Sequence, residues 1–273
     1  MSALERILAL ARMSWVVARS YRLNLVLSAA WTLASTLPLY YVARAIRPIA
    51  DRAVAGEAGG YFGFVLVGTA LLIVVLVVFN ALPNAVSSGV TSGTLEAMLA
   101  TPTSLPVLLA GLVAYPVVWA VLRAALMLAV GALLGAPLRI AHPASAALAG
   151  VLAVAAYAGL GLVGAALALT FRAGGPWSAA VGTATGLLGG VYYPTHALPA
   201  ALESLAALVP LAPAARLVRC AVLAGGSVGS PACGRPHDLA HLALLALLSL
   251  GGGAIAFGAA MRTARREGTL GRP

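Results

Sequence analysis

The sequence predicts an all-α membrane protein: six transmembrane helices, an N-terminal amphipathic interface helix, and an outer re-entrant helix pair between helices five and six. Three observations carry that reading. The 273 residues are 62% hydrophobic and only 9% charged, whereas soluble domains are about 45–50% apolar and about 25% charged. Six apolar runs are long enough for a bilayer core, which takes roughly 20 helical residues. All 17 basic residues are Arg, set one to three at a time between those runs, the pattern of charges that flank membrane spans and meet anionic headgroups. The net charge of +10 therefore points to lipid headgroups as partners and excludes nucleic acid.

The elements follow in order. Residues 1–22 form the interface helix: Leu4, Ile7, Leu8, Ala11, Trp15 and Val16 share one face, with Glu5, Arg12 and Arg19 elsewhere. A cytoplasmic extension of the first span is the alternative. Arg6, Arg12, Arg19 and Arg22 interrupt any apolar core that a cleavable leader would need, so none is expected. The spans are predicted at 23–43, 61–82, 105–134, 144–171, 177–193 and 239–261; the third and fourth exceed the bilayer and are expected to tilt or project. Residues 197–225 are apolar but cut by Pro199, Pro210 and Pro213 and charged at Glu203, Arg216 and Arg219. Their two short apolar pieces suit a pair that dips in and returns on one side.

Orientation follows from Arg placement. The densest clusters are Arg6 to Arg22 before span one and Arg262, Arg265 and Arg266 after span six. With an even number of spans both termini are expected in the cytoplasm, and Arg44, Arg47, Arg52, Arg139, Arg216, Arg219 and Arg235 then face outward.

Residues 84–104 make the main polar break, between spans two and three. Ser92 or Gly93 is suited to cap a short helix, Glu96 falls in its first turn where the helix dipole favours an acid, and Pro102 ends it. Leu95, Met98 and Leu99 form one apolar face, which either meets a partner or packs on the chain's own spans.

The run Gly93-Thr94-Leu95-Glu96-Ala97-Met98-Leu99-Ala100-Thr101-Pro102 resembles the GTLE-x-LL-x-TP signature of ABC-2 type transporter permeases. Gly189-Gly190-Val191-Tyr192-Tyr193-Pro194, followed by Leu198-Pro199, Leu205, Leu208, Pro210, Ala214 and Arg219, resembles the family's later "SG-aromatic-aromatic-P…LP…R" stretch. Gly190 stands where the family commonly has Ser-Gly, and Ser88-Gly89 replaces a residue that is often charged. The resemblance spans nearly the whole chain. It implies a single ABC-2 type transmembrane domain over 1–273, in a bacterial inner membrane. Such a permease is a homodimer and docks two ATPase subunits, which carry the ATP and Mg; the chain itself binds no cofactor. The interface helix and the 93–101 helix, through Gly93, Thr94, Leu95, Glu96, Met98 and Leu99, receive the ATPase motion. Tyr192, Tyr193, Pro194, Pro199 and Pro210 belong to the outer re-entrant region.

Other features have two readings each. Gly182, Gly186 and Gly190 lie four apart in span five, spacing that lets helix backbones approach; they pack either within the chain or at a dimer seam along the pathway, where the resemblance puts them. Arg123 lies inside span three, where an intramembrane Arg is costly and marks a candidate functional site; the other and favoured reading is that span three projects far enough for it to reach a water-filled edge or a partner's carboxylate. His237-Asp238-Leu239-Ala240-His241 echoes the zinc-protease H-E-x-x-H pattern, but Asp replaces the general-base Glu and no third ligand is apparent, so no metal site is expected. Cys220 and Cys233 are the two cysteines; on an oxidising exterior they either pair, pinning the re-entrant helix, or remain thiols.

The chain holds no G-x-x-x-x-G-K-[ST] and no Lys to make one, so any ATP hydrolysis belongs to a separate subunit. The expected function is a permease exporting a hydrophobic drug-like or lipid substrate, because aromatics, the usual lining of a glycan path, are only 6% of residues. The alternatives are an intramembrane metal-dependent enzyme built on His237 and His241, and a non-catalytic anchor subunit.

Overall fold

A computed structural model of the chain describes residues 22–47, 49, 51, 54, 59–91, 93, 105–140, 142–171, 175–226 and 237–267. Among these residues all regular structure is helical. The elements are α1 (Arg22–Ala45), α2 (Gly60–Thr91), α3 (Leu105–Leu133), α4 (Pro143–Phe171), α5 (Gly175–Leu188), a 3₁₀ turn (Thr195–Ala197), α6 (Ala200–Ala207), α7 (Leu211–Arg219), a π turn (Cys220–Ala224) and α8 (Asp238–Glu267). Helices α2, α3, α4 and α8 are long and apolar enough to cross a membrane, and α6 with α7 makes a fifth candidate if that bent pair is one span. The other two helices of the expected six are α1, with 24 residues, and α5, with 14. The interface helix expected at 1–22 lies outside the described residues except for Arg22, which opens α1.

Helix α2 is the central member, with 72% of its most apolar stretch buried. Its Leu66, Val75, Val78 and Phe79 meet Tyr157 of α4, Met127 of α3 and Leu211 of α7 in the main core. The outer helices turn Leu27 and Trp31 of α1, Leu122 of α3, Val151 of α4 and Leu247 and Ile255 of α8 outward. Lipid makes such a surface cheap, because its tails are as apolar as Leu.

Small residues set the crossings. A Cβ on Gly253 of α8 would collide with the Gly159 carbonyl of α4, and one on Gly159 would strike the α8 backbone at Ser249 and Leu250. These two helices touch main chain to main chain, the closeness that small residues permit in lipid. Pro83 lies inside α2 and offers no N–H to the Phe79 carbonyl. Gly161 of α4 approaches that same oxygen, so close that a Cβ there would lie 2.7 Å away.

Two sequence boundaries are corrected. Helix α2 runs on to Thr91, so 84–91, assigned above to the polar break, are its last turns. At 32 residues and about 1.5 Å each it measures about 48 Å, well beyond a hydrocarbon core of about 30 Å. Helix α5 stops at Leu188 rather than Tyr193, because Gly190 adopts a φ of 65°, a left-handed conformation that suits glycine.

Candidate functional site

The two ends of the bundle are built differently. At one, Leu82 and Val86 of α2 pack with Ala165 and Ala166 of α4, Phe257 and Met261 of α8, and Leu109 and Val113 of α3. The end of α2, the start of α3 and the ends of α4 and α8 therefore gather there, flanking the break at 92–104. Gly93 is exposed with a φ of 68°, the left-handed conformation found just past a helix C-terminus. It follows the end of α2 at Thr91; the short helix that Ser92 or Gly93 was expected to cap lies outside the described residues. Thr94, Leu95, Glu96, Met98 and Leu99 lie outside the described residues.

At the other end, residues 190–224 form a lid over the bundle. Helices α6 and α7 meet at 84°, with the bend at Leu208–Pro210. Helix α6 is the outer arm, with Leu202, Leu205 and Leu208 exposed; α7 is the inner arm, with Leu211, Ala214, Ala215 and Leu217 buried. Pro194 and Pro210 are buried, Tyr192 and Pro199 are exposed, and the Tyr193 hydroxyl donates to the Leu187 carbonyl. The lid's start and finish lie at this same end: Thr195 accepts a bond from Arg216, and the Val222 carbonyl accepts from the Arg139 N–H beyond α3.

Two arginines fasten the lid. Arg219 is 4% exposed. Its Nε donates to the Phe64 carbonyl of α2 at 3.0 Å, and its Nη2 donates to the Gly190 and Val191 carbonyls at 2.8 and 3.2 Å. The guanidinium also sits 3.5 Å from the Phe64 ring centroid, a cation–π distance. A side chain at Gly68 would strike this guanidinium. Arg216 grips Asp238, the first residue of α8, in a two-pronged pair at 2.9 and 2.8 Å, the fork geometry that favours Arg over Lys. The Asp of the H-D-x-x-H run is thus a lid latch. His237 is exposed and His241 half-buried, and among the described residues no three His, Cys, Asp or Glu side chains gather as a metal site. Cys220 is disulfide-bonded; Cys233 lies outside the described residues. Neither latch was foreseen: both Arg were assigned outward by charge counting, and a buried Arg among prolines was the available signal.

Helix α5 is held on one side by the buried Tyr157 hydroxyl, 3.0 Å from Thr185 Oγ1. Its other face is open: a Cβ on Gly182 or Gly186 would meet nothing within 4 Å. Those two glycines therefore do not serve packing within the described chain, and Gly190 belongs to the lid. Beside this face an apolar groove of about 730 Å³ runs between Ala180, Thr183 and Leu187 of α5 and Leu198 and Leu202 of the lid.

Arg123 is half-buried in the α1–α3 seam. Its Nε donates to Thr32 Oγ1 at 3.1 Å, and one turn earlier Trp119 Nε1 donates to Ser28 Oγ at 3.2 Å. Thr32 is buried on α1, which brings the Arg partner to mid-helix.

A family-model comparison matches residues 14–223 to "ABC-2 type transporter". A search of curated proteins finds no match. The match covers the bundle from before α1 through the π turn of the lid. The chain belongs to the ABC-2 type transporter family and is a multi-pass permease component of an ABC transporter, not itself a catalytic subunit.

Proposed function

We propose that the chain is the membrane half of an ATP-driven exporter in a bacterial inner membrane, with six spans and both termini in the cytoplasm. It works as a homodimer with a separate ATPase subunit, which binds the ATP and Mg. The observation that supports this reading is the separation of the two ends: the 92–104 break is flanked by helices packed at one end, while the latched lid closes the other. A push received at the first has a long, buried α2 through which to reach the second. The open α5 face with Gly182 and Gly186 supports a seam between two copies, lying beside the apolar groove.

The substrate is a hydrophobic drug-like molecule or a lipid. In α3, α4 and α5 the aromatics that could line a glycan path include three engaged within the fold: Trp119 with Ser28, Tyr157 with Thr185, and Trp177 with the Leu160 carbonyl.

The test is Glu96→Arg in the complex with its ATPase. Reversing this charge at the start of the 93–101 helix should abolish stimulation of ATP hydrolysis by the permease and stop export, with the melting temperature of the permease unchanged. Normal export by the variant would refute the coupling assignment.

A further inference from the structure

Where α1 ends and α2 begins, a cavity of about 660 Å³ opens beside Leu134, Gly135 and Pro137, just after α3. That is within the roughly 300–1,000 Å³ of small-ligand sites. Tyr40, Arg44, Arg47, Asp51 and Tyr61 supply its polar groups. The charges divide in a particular way. Arg47 is paired with Asp51, Nε to Oδ2 at 3.1 Å. The Tyr61 N–H donates to the other Asp51 oxygen at 3.0 Å. That bond holds the Asp51 carboxyl below its ordinary range; slight desolvation opposes it, and Arg47 adds to it. Asp51 thus stays ionised and its charge cancels that of Arg47. Arg44 has only the neutral Tyr40 hydroxyl as a described partner, at 3.4 Å. Among the described residues the cavity therefore presents one guanidinium without a carboxylate partner, with the Tyr40 hydroxyl alongside it.

Its walls and surroundings are those of a membrane interface. Tyr40 stacks edge-to-face on Phe62 and on Tyr41, at 5.3 and 5.4 Å between centroids, and interfacial aromatics mark headgroup depth. Next to the cavity, Leu37, Tyr41 and Val42 of α1 and Leu133 of α3 are exposed, an apolar flank for acyl chains. A single positive charge with forked N–H donors suits a phosphate monoanion.

We propose that this cavity binds the phosphodiester headgroup of an anionic phospholipid through Arg44 and the Tyr40 hydroxyl. The phosphate is the recognised group, and the adjoining apolar surface assigns it to a lipid rather than to a soluble phosphate ester.

Purified full-length protein, stripped of lipid, is titrated with phosphatidylglycerol and separately with phosphatidylcholine, and bound lipid is counted by native mass spectrometry. Arg44→Gln, at an exposed position, should weaken phosphatidylglycerol by about tenfold, the scale of one lost charged hydrogen-bond contact, and leave phosphatidylcholine unchanged. Arg262→Gln, which removes the same charge from exposed surface near the end of α8, should shift binding less than twofold. Equal losses in both variants, or none in Arg44→Gln, would overturn the site. Displacement of phosphatidylglycerol by millimolar glycerol phosphate would overturn the assignment to lipid.

Discussion

Replacing Arg219 by Met keeps the bulk of the side chain and removes the lid's main fastening. The Phe64 carbonyl stands four residues before Gly68 in α2 and keeps its helical bond, so the loss falls on the Gly190 and Val191 carbonyls. A buried acceptor left without a partner costs about 1–3 kcal/mol, and the cation–π contact with Phe64 is worth about 2 kcal/mol when desolvated. Against this, the variant no longer holds a guanidinium out of water, a burial that costs several kcal/mol in its own right. The net expectation is a lid weaker by about 2–4 kcal/mol. Hydrogen–deuterium exchange reads that directly, because amides report local opening. Exchange across 211–224 should rise about 30- to 1,000-fold, at tenfold per 1.4 kcal/mol, while α4 amides near Ala153 and Tyr157 stay protected. Arg219→Lys should recover less than half, since a point-like ammonium cannot serve the acceptors a planar fork spans. Unchanged exchange in the lid, or an equal rise in α4, would refute the clamp.

Two further perturbations separate contacts within the chain from contacts between chains. Gly253→Val should drive α8 off α4, because even a Cβ at 253 overlaps the Gly159 carbonyl; a destabilisation above about 3 kcal/mol, beyond ordinary overpacking, should appear as a lost monodisperse peak in detergent. Gly186→Leu should leave the melting of the monomer alone, because its Cβ meets open space, yet lower the dimer fraction seen by size-exclusion with light scattering. A dimer fraction equal to wild type would remove α5 from the seam.

How legible the structure was depended on whether a feature lives in local pattern or in tertiary contact. The membrane class, the helical content and the proline break between α6 and α7 were readable, because apolar run length and proline position act locally. Boundaries failed where amino-acid type was ambiguous. Asn84 to Thr91 look like a polar loop, but backbone satisfaction carries α2 through them; Gly190 continues a spacing of four that the backbone abandons. Arg123 was read as escaping to water because no carboxylate stood in the predicted spans. Its bond to Thr32, a neutral acceptor 91 residues earlier, was not legible, because a threonine in an apolar run gives no sign of its partner. Likewise His237-Asp238-xx-His241 has the look of a metal motif, and only the approach of Arg216 from a different helix gives Asp238 its role.

The two latches differ in how they fail. Arg216 and Asp238 are both side chains, so loss of one has a conceivable repair: a swapped pair, with acid at 216 and base at 238, restores the same charges across the same gap. The Arg219 bonds to Phe64, Gly190 and Val191 end on main-chain carbonyls, which no substitution can recharge or remove. Changes at those three acceptor positions leave the oxygens where they are, so these bonds offer a change at 219 no complementary substitution. In a genetic screen for second-site suppressors, defects at 216 should yield compensating partners at 238 more often than defects at 219 yield them at 64, 190 or 191.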